Sequence, residues 1–285
     1  MVNARGLLKD IQSRLAASGI EDAPFEADQL FRHVTGRSAR LFTSADALDD
    51  DAAKRLYTLC EKRATRYPLQ YLLGQWDFLD LTVKIGDGVL IPRADTESVC
   101  LAAIEKCKSL AHKTPLRVVD LCSGSGAIAL GIKAALPDAE VTAVELSPQA
   151  LHYLKENCGT NIQIVNADVF EWQAQIADAS IDVLTANPPY IRADEMPELA
   201  PELAFEPQMA LTDGGDGLAF YRHITAAYYP KLCCGGYMVL EIGAAQGKAV
   251  MALCRAAGYG EVTLLQDDAG HDRIVTAKRT DGAFI

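Results

Sequence analysis

The chain has 285 residues, 49% of them hydrophobic and 23% charged, an ordinary globular composition with length for one large domain or two unequal ones. It carries 27 Lys and Arg against 38 Asp and Glu, a formal charge of −11, which makes it a poor general binder of phosphate backbones and better matched to a neutral or locally basic partner. No apolar run approaches the roughly 20 residues of a membrane span, and the first residues read as amphipathic, so a cytoplasmic protein is expected rather than a secreted or membrane one.

Residues 1–75 read as helical. Leu7, Ile11 and Leu15 recur every four residues; Ala27, Leu30, Phe31 and Val34 form a second face; Leu56, Leu59 and Arg63 fit a third. No cluster in this stretch looks catalytic. It reads as a small helical domain, either for recognition of a protein substrate or as a structural cap. Residues 76–95 turn extended, with Trp76, Phe78, Leu81, Val83 and Ile85, and Gly86-Asp87-Gly88 is a turn signal; a hairpin linker is expected.

From residue 96 to 285 strands and helices alternate. Strands are expected over 116–121, 141–146, 162–165, 181–186 and 237–242, and helices over 126–135, 148–157 and 247–257. Two closing strands, 262–265 and 273–278, are joined too closely for a crossover helix, so one of them should run antiparallel. The fold class is therefore α/β, a doubly wound Rossmann-like sheet with an antiparallel terminal strand and a small helical domain before it. The eight cysteines include no C-x-x-C and the five histidines no H-E-x-x-H, so free thiols and no metal are expected.

Asp120-Leu121-Cys122-Ser123-Gly124-Ser125-Gly126 ends the first of these strands and opens a helix. Gly124 and Gly126 let backbone approach a ligand, with a helix N-terminus behind them. Glu145, ending the next strand, can accept hydrogen bonds from ribose hydroxyls. Together they point to a cofactor containing a nucleoside. Gly124-x-Gly126-x-x-Ala129 also fits a dinucleotide fingerprint. Asp120 favours a cationic ligand over a pyrophosphate, which tilts the reading toward S-adenosylmethionine. Asp168, after the third strand, is placed either to bind an adenine amino group or to cap a helix.

Asn187-Pro188-Pro189-Tyr190 closes the fourth strand. The Asn187 carboxamide oxygen and the Pro188 carbonyl are two fixed acceptors for one planar NH₂ group, over which Tyr190 can lay an aromatic face. Gripping both N–H bonds localises the nitrogen lone pair for attack. The four residues are the expected substrate site, and Asn187, Pro188 and Tyr190 its catalytic part.

These motifs resemble the class I methyltransferases acting on planar amines, and specifically the HemK/PrmC family of peptide chain release factor glutamine methyltransferases. The supporting segments are Pro68 to Gly74 with Phe78, Leu90-Ile91-Pro92-Arg93-Ala94-Asp95-Thr96-Glu97, Phe205-Glu206-Pro207 with Ala210-Leu211, Gly214 to Leu218, Leu240-Glu241-Ile242-Gly243 and Asp272-Arg273-Ile274-Val275. The resemblance implies methyl transfer from S-adenosylmethionine to the glutamine of the release factors' Gly-Gly-Gln motif. It also implies a cofactor site at Asp120, Cys122, Ser123, Gly124, Ser125, Gly126, Glu145, Asp168, Val169 and Asn187, and no direct nucleic-acid or membrane partner. The family's loop often begins with Gly where this chain has Cys122, a feature similar to a sister branch that methylates a glutamine of a large-subunit ribosomal protein. The alternatives are that branch, an adenine-N6 nucleic-acid methyltransferase, which the charge of −11 opposes, and an NAD-dependent dehydrogenase, which leaves Asn187 to Tyr190 unexplained.

Overall fold

Each of the three four-residue periodicities near the start becomes a helix in the computed structural model, which describes residues 1–43, 45–110 and 112–280; the last five residues of the expected third domain lie outside the described residues. After a two-residue strand, β1 (Val2–Asn3), come α1 (Ala4–Ala17), α2 (Ala23–Thr35), β2 (Ala47–Leu48), α3 (Asp50–Ala64) and α4 (Leu69–Leu73). Asn3, Asp22 and Asp49 each place a side-chain oxygen on a first-turn N–H, capping α1, α2 and α3. Leu7, Ile11, Leu15, Leu30, Phe31 and Leu56 are buried. On α3 the buried positions are Leu56, Cys60 and Arg63, while Leu59 is only half-buried. β1 and β2 pair antiparallel, a detail too short for any alternation to announce.

Residues 1–75 form one compact unit together with residues 200–205. Within it, buried Arg63 pairs with Glu26 and Glu202, Arg66 also reaches Glu202, and the Tyr67 and Phe205 rings meet edge to face at 5.3 Å.

Of the described residues, those within 76–199 and 206–280 form the second unit. β3 (Gln75–Phe78) and β4 (Leu81–Lys84) pair, with their turn at Leu79-Asp80 rather than at Gly86 to Gly88. Leu79 takes a left-handed φ of 51°, and its N–H donates to Glu97 Oε1 at 2.9 Å. Gly86 to Gly88 do turn the chain, after β4, with Val89 N–H donating to Gly86 O at 3.3 Å, and Gly88, with φ 90°, also serves close approach: a Cβ there would stand 2.7 Å from Gln149.

The remaining elements are α5 (Ala94–Ser109), β5 (Arg117–Leu121), α6 (Ala127–Ala135), β6 (Glu140–Glu145), α7 (Pro148–Cys158), β7 (Gln163–Asn166), α8 (Val169–Trp172), β8 (Ile181–Ala186), α9 (Gln208–Leu211), α10 (Ala219–Ala227), β9 (Leu232–Glu241), α11 (Gly247–Ala256), β10 (Val262–Gln266) and β11 (Asp272–Lys278). Seven strands make one sheet in the order β10-β11-β9-β8-β5-β6-β7. β9, β8, β5, β6 and β7 run parallel, and β11 runs antiparallel between β9 and β10. This is the doubly wound sheet with an antiparallel final strand that the alternation of elements implied. Every residue of β8 is buried, as expected of a central parallel strand covered on both faces. Among the described residues no helix is long and apolar enough to cross a membrane.

Candidate active site

The order of strands reverses at β5, where β8 lies to one side and β6 to the other; in such sheets ligands bind beyond the carboxyl ends at that switch. A cleft there is lined by Asp120 and Cys122 after β5, Glu145 after β6, Asp168 after β7, and Asn187 and Pro189 after β8. Ser123, Gly124, Ser125 and Val169 also line it.

The loop from β5 to α6 is a run of tight backbone. Cys122, Gly124 and Gly126 all have left-handed φ, at 55°, 55° and 88°. Gly126 opens α6 without lining the cleft: a Cβ there would lie 2.7 Å from Leu154 and 2.9 Å from Cys158, so its missing side chain lets α6 and α7 approach. Cys122 holds a conformation that costs an L-residue roughly 1–2 kcal/mol, which gives a physical reason for glycine at this place in similar loops. Burial keeps its thiol protonated, pushing its pKa well up, with Glu145 and Asp120 adding to the effect.

Glu145 is fixed by backbone donors. Its Oε2 accepts from Gly124 N at 2.8 Å, and its Oε1 from Leu146 N at 2.9 Å and Ser147 N at 2.7 Å. A carboxylate has about four lone-pair sites, so one acceptor position remains, on Oε2. Asp168 accepts from Phe170 N at 2.8 Å and so caps α8, yet it also faces the cleft; the two sequence readings of this residue are compatible.

Asp120 is 1% exposed. Strand register sets it opposite Thr185, whose hydroxyl donates to Oδ1 at 2.7 Å. Its Oδ2 is buried and has no hydrogen-bond partner among the described residues. Burial pushes its carboxyl up to about 7, Glu145 adds repulsion, and the Thr185 and Ser123 hydroxyls resist. A buried, half-satisfied carboxyl facing a cleft is matched to a cationic group.

Asn187 donates from Nδ2 to Thr96 Oγ1 at 3.3 Å, which turns its carboxamide oxygen away from Thr96. Pro188 and Tyr190 are not among the residues lining the cleft. The Tyr190 hydroxyl donates to Glu241 Oε1 at 3.2 Å, and its carbonyl accepts from Gln246 Nε2 at 2.9 Å. Burial, then the Glu241 charge, hold its phenol protonated. Several cleft residues carried no sequence signal as site residues: Thr96, Ser147, Phe170, Met209 and Phe220. Phe170 and Phe220 meet edge to face at 4.9 Å and give the cleft an apolar wall. Glu206 ties the segment after Tyr190 back to the cleft, accepting from Ile91 N and pairing with Arg93.

Comparison with known proteins follows this division of the chain. Residues 6–74 match the PrmC N-terminal domain and residues 104–226 the methyltransferase small domain. A release factor glutamine methyltransferase of Moorella thermoacetica is 37% identical over 97% of this chain and 99% of its own length. Another, of Cereibacter sphaeroides, is 36% identical over 97% and 99%. Among solved structures, the hMettl16 catalytic domain in complex with an RNA hairpin of the MAT2A 3′UTR aligns with a TM-score of 0.55 at 16% identity, covering 83% of this chain and 82% of that one. A methyltransferase from Pyrococcus furiosus aligns with a TM-score of 0.51 at 14% identity, covering 82% and 100%. At such identities the structures speak for the fold alone. The relatives match from end to end at over a third identity, and the chain belongs to the release factor glutamine methyltransferase family.

Proposed function

We propose that this protein transfers a methyl group from S-adenosylmethionine to the side-chain amide nitrogen of the glutamine in the Gly-Gly-Gln motif of peptide chain release factors. Family membership supports the reading. The single structural observation behind it is that Asn187, at the end of β8, lies in one cleft with Asp120 and Glu145.

The residues fit the cofactor. Asp120 Oδ2, buried and without a partner among the described residues, suits a cation; Glu145 keeps one acceptor for a ribose hydroxyl; Asp168 keeps a face toward the cleft for a purine amino group. When bound, S-adenosylmethionine supplies a methyl carbon activated by a sulfonium leaving group. The protein then has to present a weak nucleophile. Asn187 Oδ1 and the Pro188 carbonyl accept the two N–H bonds of the glutamine amide, hold its nitrogen in line and draw its lone pair out of conjugation. Transfer would form the N–C bond as the C–S bond of the bound cofactor breaks, and one amide proton would pass to solvent afterwards, so no strong base is needed beforehand. Phe170, Phe220 and Met209 give the cleft an apolar lining.

Residues 1–75 hold the protein substrate in this reading, and the site of action is the cytoplasm, where release factors work. Eleven basic and ten acidic residues make the first 75 residues nearly neutral. The net negative charge therefore lies on the remainder, which carries the cleft, and this disfavours nucleic acid as the acceptor. The test is a panel of acceptors with labelled S-adenosylmethionine: intact release factor, large-subunit ribosomal protein and an adenine-containing oligonucleotide. Label on the release factor is expected; label on either of the others instead would reassign the substrate.

A further inference from the structure

Asn187 leads into a buried polar cluster to which the chemistry above gives no task. Glu241 ends β9 and is 1% exposed. Its Oε1 accepts from the Tyr190 hydroxyl, and its Oε2 has no hydrogen-bond partner among the described residues. Thr96, in the first turn of α5, accepts from Asn187 Nδ2 at 3.3 Å and has its hydroxyl beside the same carboxyl, near enough to hold its pKa down but making no hydrogen bond to it in this structure. The other charged or titratable groups facing Glu241 come from every neighbouring element. Asp95 is on α5, Tyr221 on α10 and Arg273 on β11; Arg273 is itself held by Asp95 at 3.0 Å and by Asp267, before β11, at 3.3 Å. The Tyr221 hydroxyl also donates to the Glu241 main-chain oxygen at 2.8 Å.

This arrangement has a direction. A carboxamide can present either end, and a hydroxyl can donate or accept. Thr96 accepts from Asn187, so its own proton needs another acceptor. An ionised carboxylate can only accept. Turning the Thr96 hydroxyl onto the unpartnered Glu241 Oε2 completes the order Asn187 N–H to Thr96 O–H to Glu241, and this order leaves Asn187 Oδ1 turned away from Thr96. A neutral carboxyl carries a proton of its own, so the chain can run the other way: Thr96 donates to Oδ1 and the amide turns its NH₂ group outward. An NH₂ group cannot accept from a glutamine amide.

We propose that Glu241, acting through Thr96, is a positioning residue that fixes which end of the Asn187 carboxamide meets the acceptor nitrogen; this rests on the reading of Asn187 as the acceptor that grips the glutamine. Burial pushes the Glu241 carboxyl up to about 7, against the Thr96 and Tyr190 hydroxyls and Arg273, so the direction of the chain becomes sensitive to pH near neutrality. Ionisation and activity should rise together. Asp120 has a similarly raised pKa, but it faces the cofactor cleft, and saturating S-adenosylmethionine removes its contribution from kcat.

The experiment measures kcat on intact release factor at saturating S-adenosylmethionine, from pH 5.5 to 8.5, for the parent, Thr96→Val, Thr96→Ser, Glu241→Gln and Asn187→Ala. The parent kcat should rise to a plateau through a midpoint near 7, standing roughly tenfold lower at pH 6. Thr96→Val should lose about tenfold in kcat with KM for S-adenosylmethionine within twofold, and Thr96→Ser should recover most of the loss. Glu241→Gln should lower the plateau and abolish the pH limb. A kcat for Thr96→Val within twofold of the parent, or equal losses for the Val and Ser variants, would overturn the proposal even if Glu241→Gln fails to fold. An active Asn187→Ala would overturn the underlying reading; an inactive Asn187→Ala beside an unaffected Thr96→Val would overturn the relay alone.

Discussion

Binding of S-adenosylmethionine should strengthen with pH because of Asp120. Its carboxyl is buried, has an unpartnered oxygen among the described residues, and titrates at about 7 in the protein alone. A bound cation favours the ionised form, so the complex should hold Asp120 ionised down to well below pH 5.5. Between pH 5.5 and 7.0 the ionised fraction of the free protein rises about 16-fold for a group titrating at 7, and Kd should fall by the same factor, about 1.6 kcal/mol. The window lies below the ordinary α-amino range of about 7.7–8.0, so the ligand's own ammonium stays charged. Titration calorimetry at several pH values, in buffers of differing ionisation enthalpy, gives both Kd and the protons released. Near pH 6 binding should release close to one proton. Asp120→Asn should bind more weakly and lose both the pH dependence and the proton release. A Kd that changes less than twofold across the window, or proton uptake, would refute the assignment of Asp120 to the cationic end of the ligand.

The same groups predict how the protein alone responds to pH. Asp120 and Glu241 have folded pKa values raised from 3.8 and 4.5 to about 7, so each contributes stability that is lost as pH rises toward 7, about 1.6 kcal/mol per group between pH 5.5 and 7.0; urea unfolding at both pH values checks the sign. Asn187→Ala should lower kcat by about 10²–10³ while leaving S-adenosylmethionine affinity within a few-fold, as stopped-flow binding beside steady-state rates would show. Glu145→Gln should weaken cofactor binding by roughly 1.5–3 kcal/mol, and an unchanged calorimetric Kd would remove Glu145 from the ribose. Arg63→Met should leave Glu26 and Glu202 without their shared partner and destabilise the first unit by about 3 kcal/mol, the low end for a buried pair because the two carboxylates keep 14% and 20% of their side chains exposed. Hydrogen exchange should then quicken in residues 200–205, whose Glu202 pairs with Arg63, and unchanged protection there would contradict the prediction.

What could be read from the sequence was local. Gly124 and Gly126 between a strand and a helix, Glu145 at the next strand end, and Asn187 to Tyr190 after a mostly apolar strand each carry their chemistry within a few residues. The helix α5 was not foreseen: its buried positions, from Thr96 through Val99, Cys100, Ala102, Ala103, Ile104 and Cys107, share one side, but that side is built largely of small or weakly apolar residues while Leu101 stands exposed on the other, which blurs the apolar stripe. The polar chain behind Asn187 was equally out of reach: Thr96 lies 91 residues from Asn187, and Glu241 lies 51 residues from Tyr190. Both stood in segments that matched the family, with nothing local to say what they touch. Phe170 and Phe220 were silent for a simpler reason, since a lone aromatic residue reads as core until the fold sets it beside a cleft. Residues 200–205 lie within the stretch expected to form the methyltransferase domain, yet they pack with residues 1–75, an association between distant segments that no periodicity records.

The central claim is that Asn187 presents the release-factor glutamine for methylation. Peptide mapping by tandem mass spectrometry, after incubation of intact release factor with S-adenosylmethionine and either the parent or Asn187→Ala protein, tests it most directly. One methyl group on the side-chain amide of the Gly-Gly-Gln glutamine, formed by the parent and nearly absent with Asn187→Ala, is the predicted result. A methyl group elsewhere, or equal modification by both proteins, would contradict it.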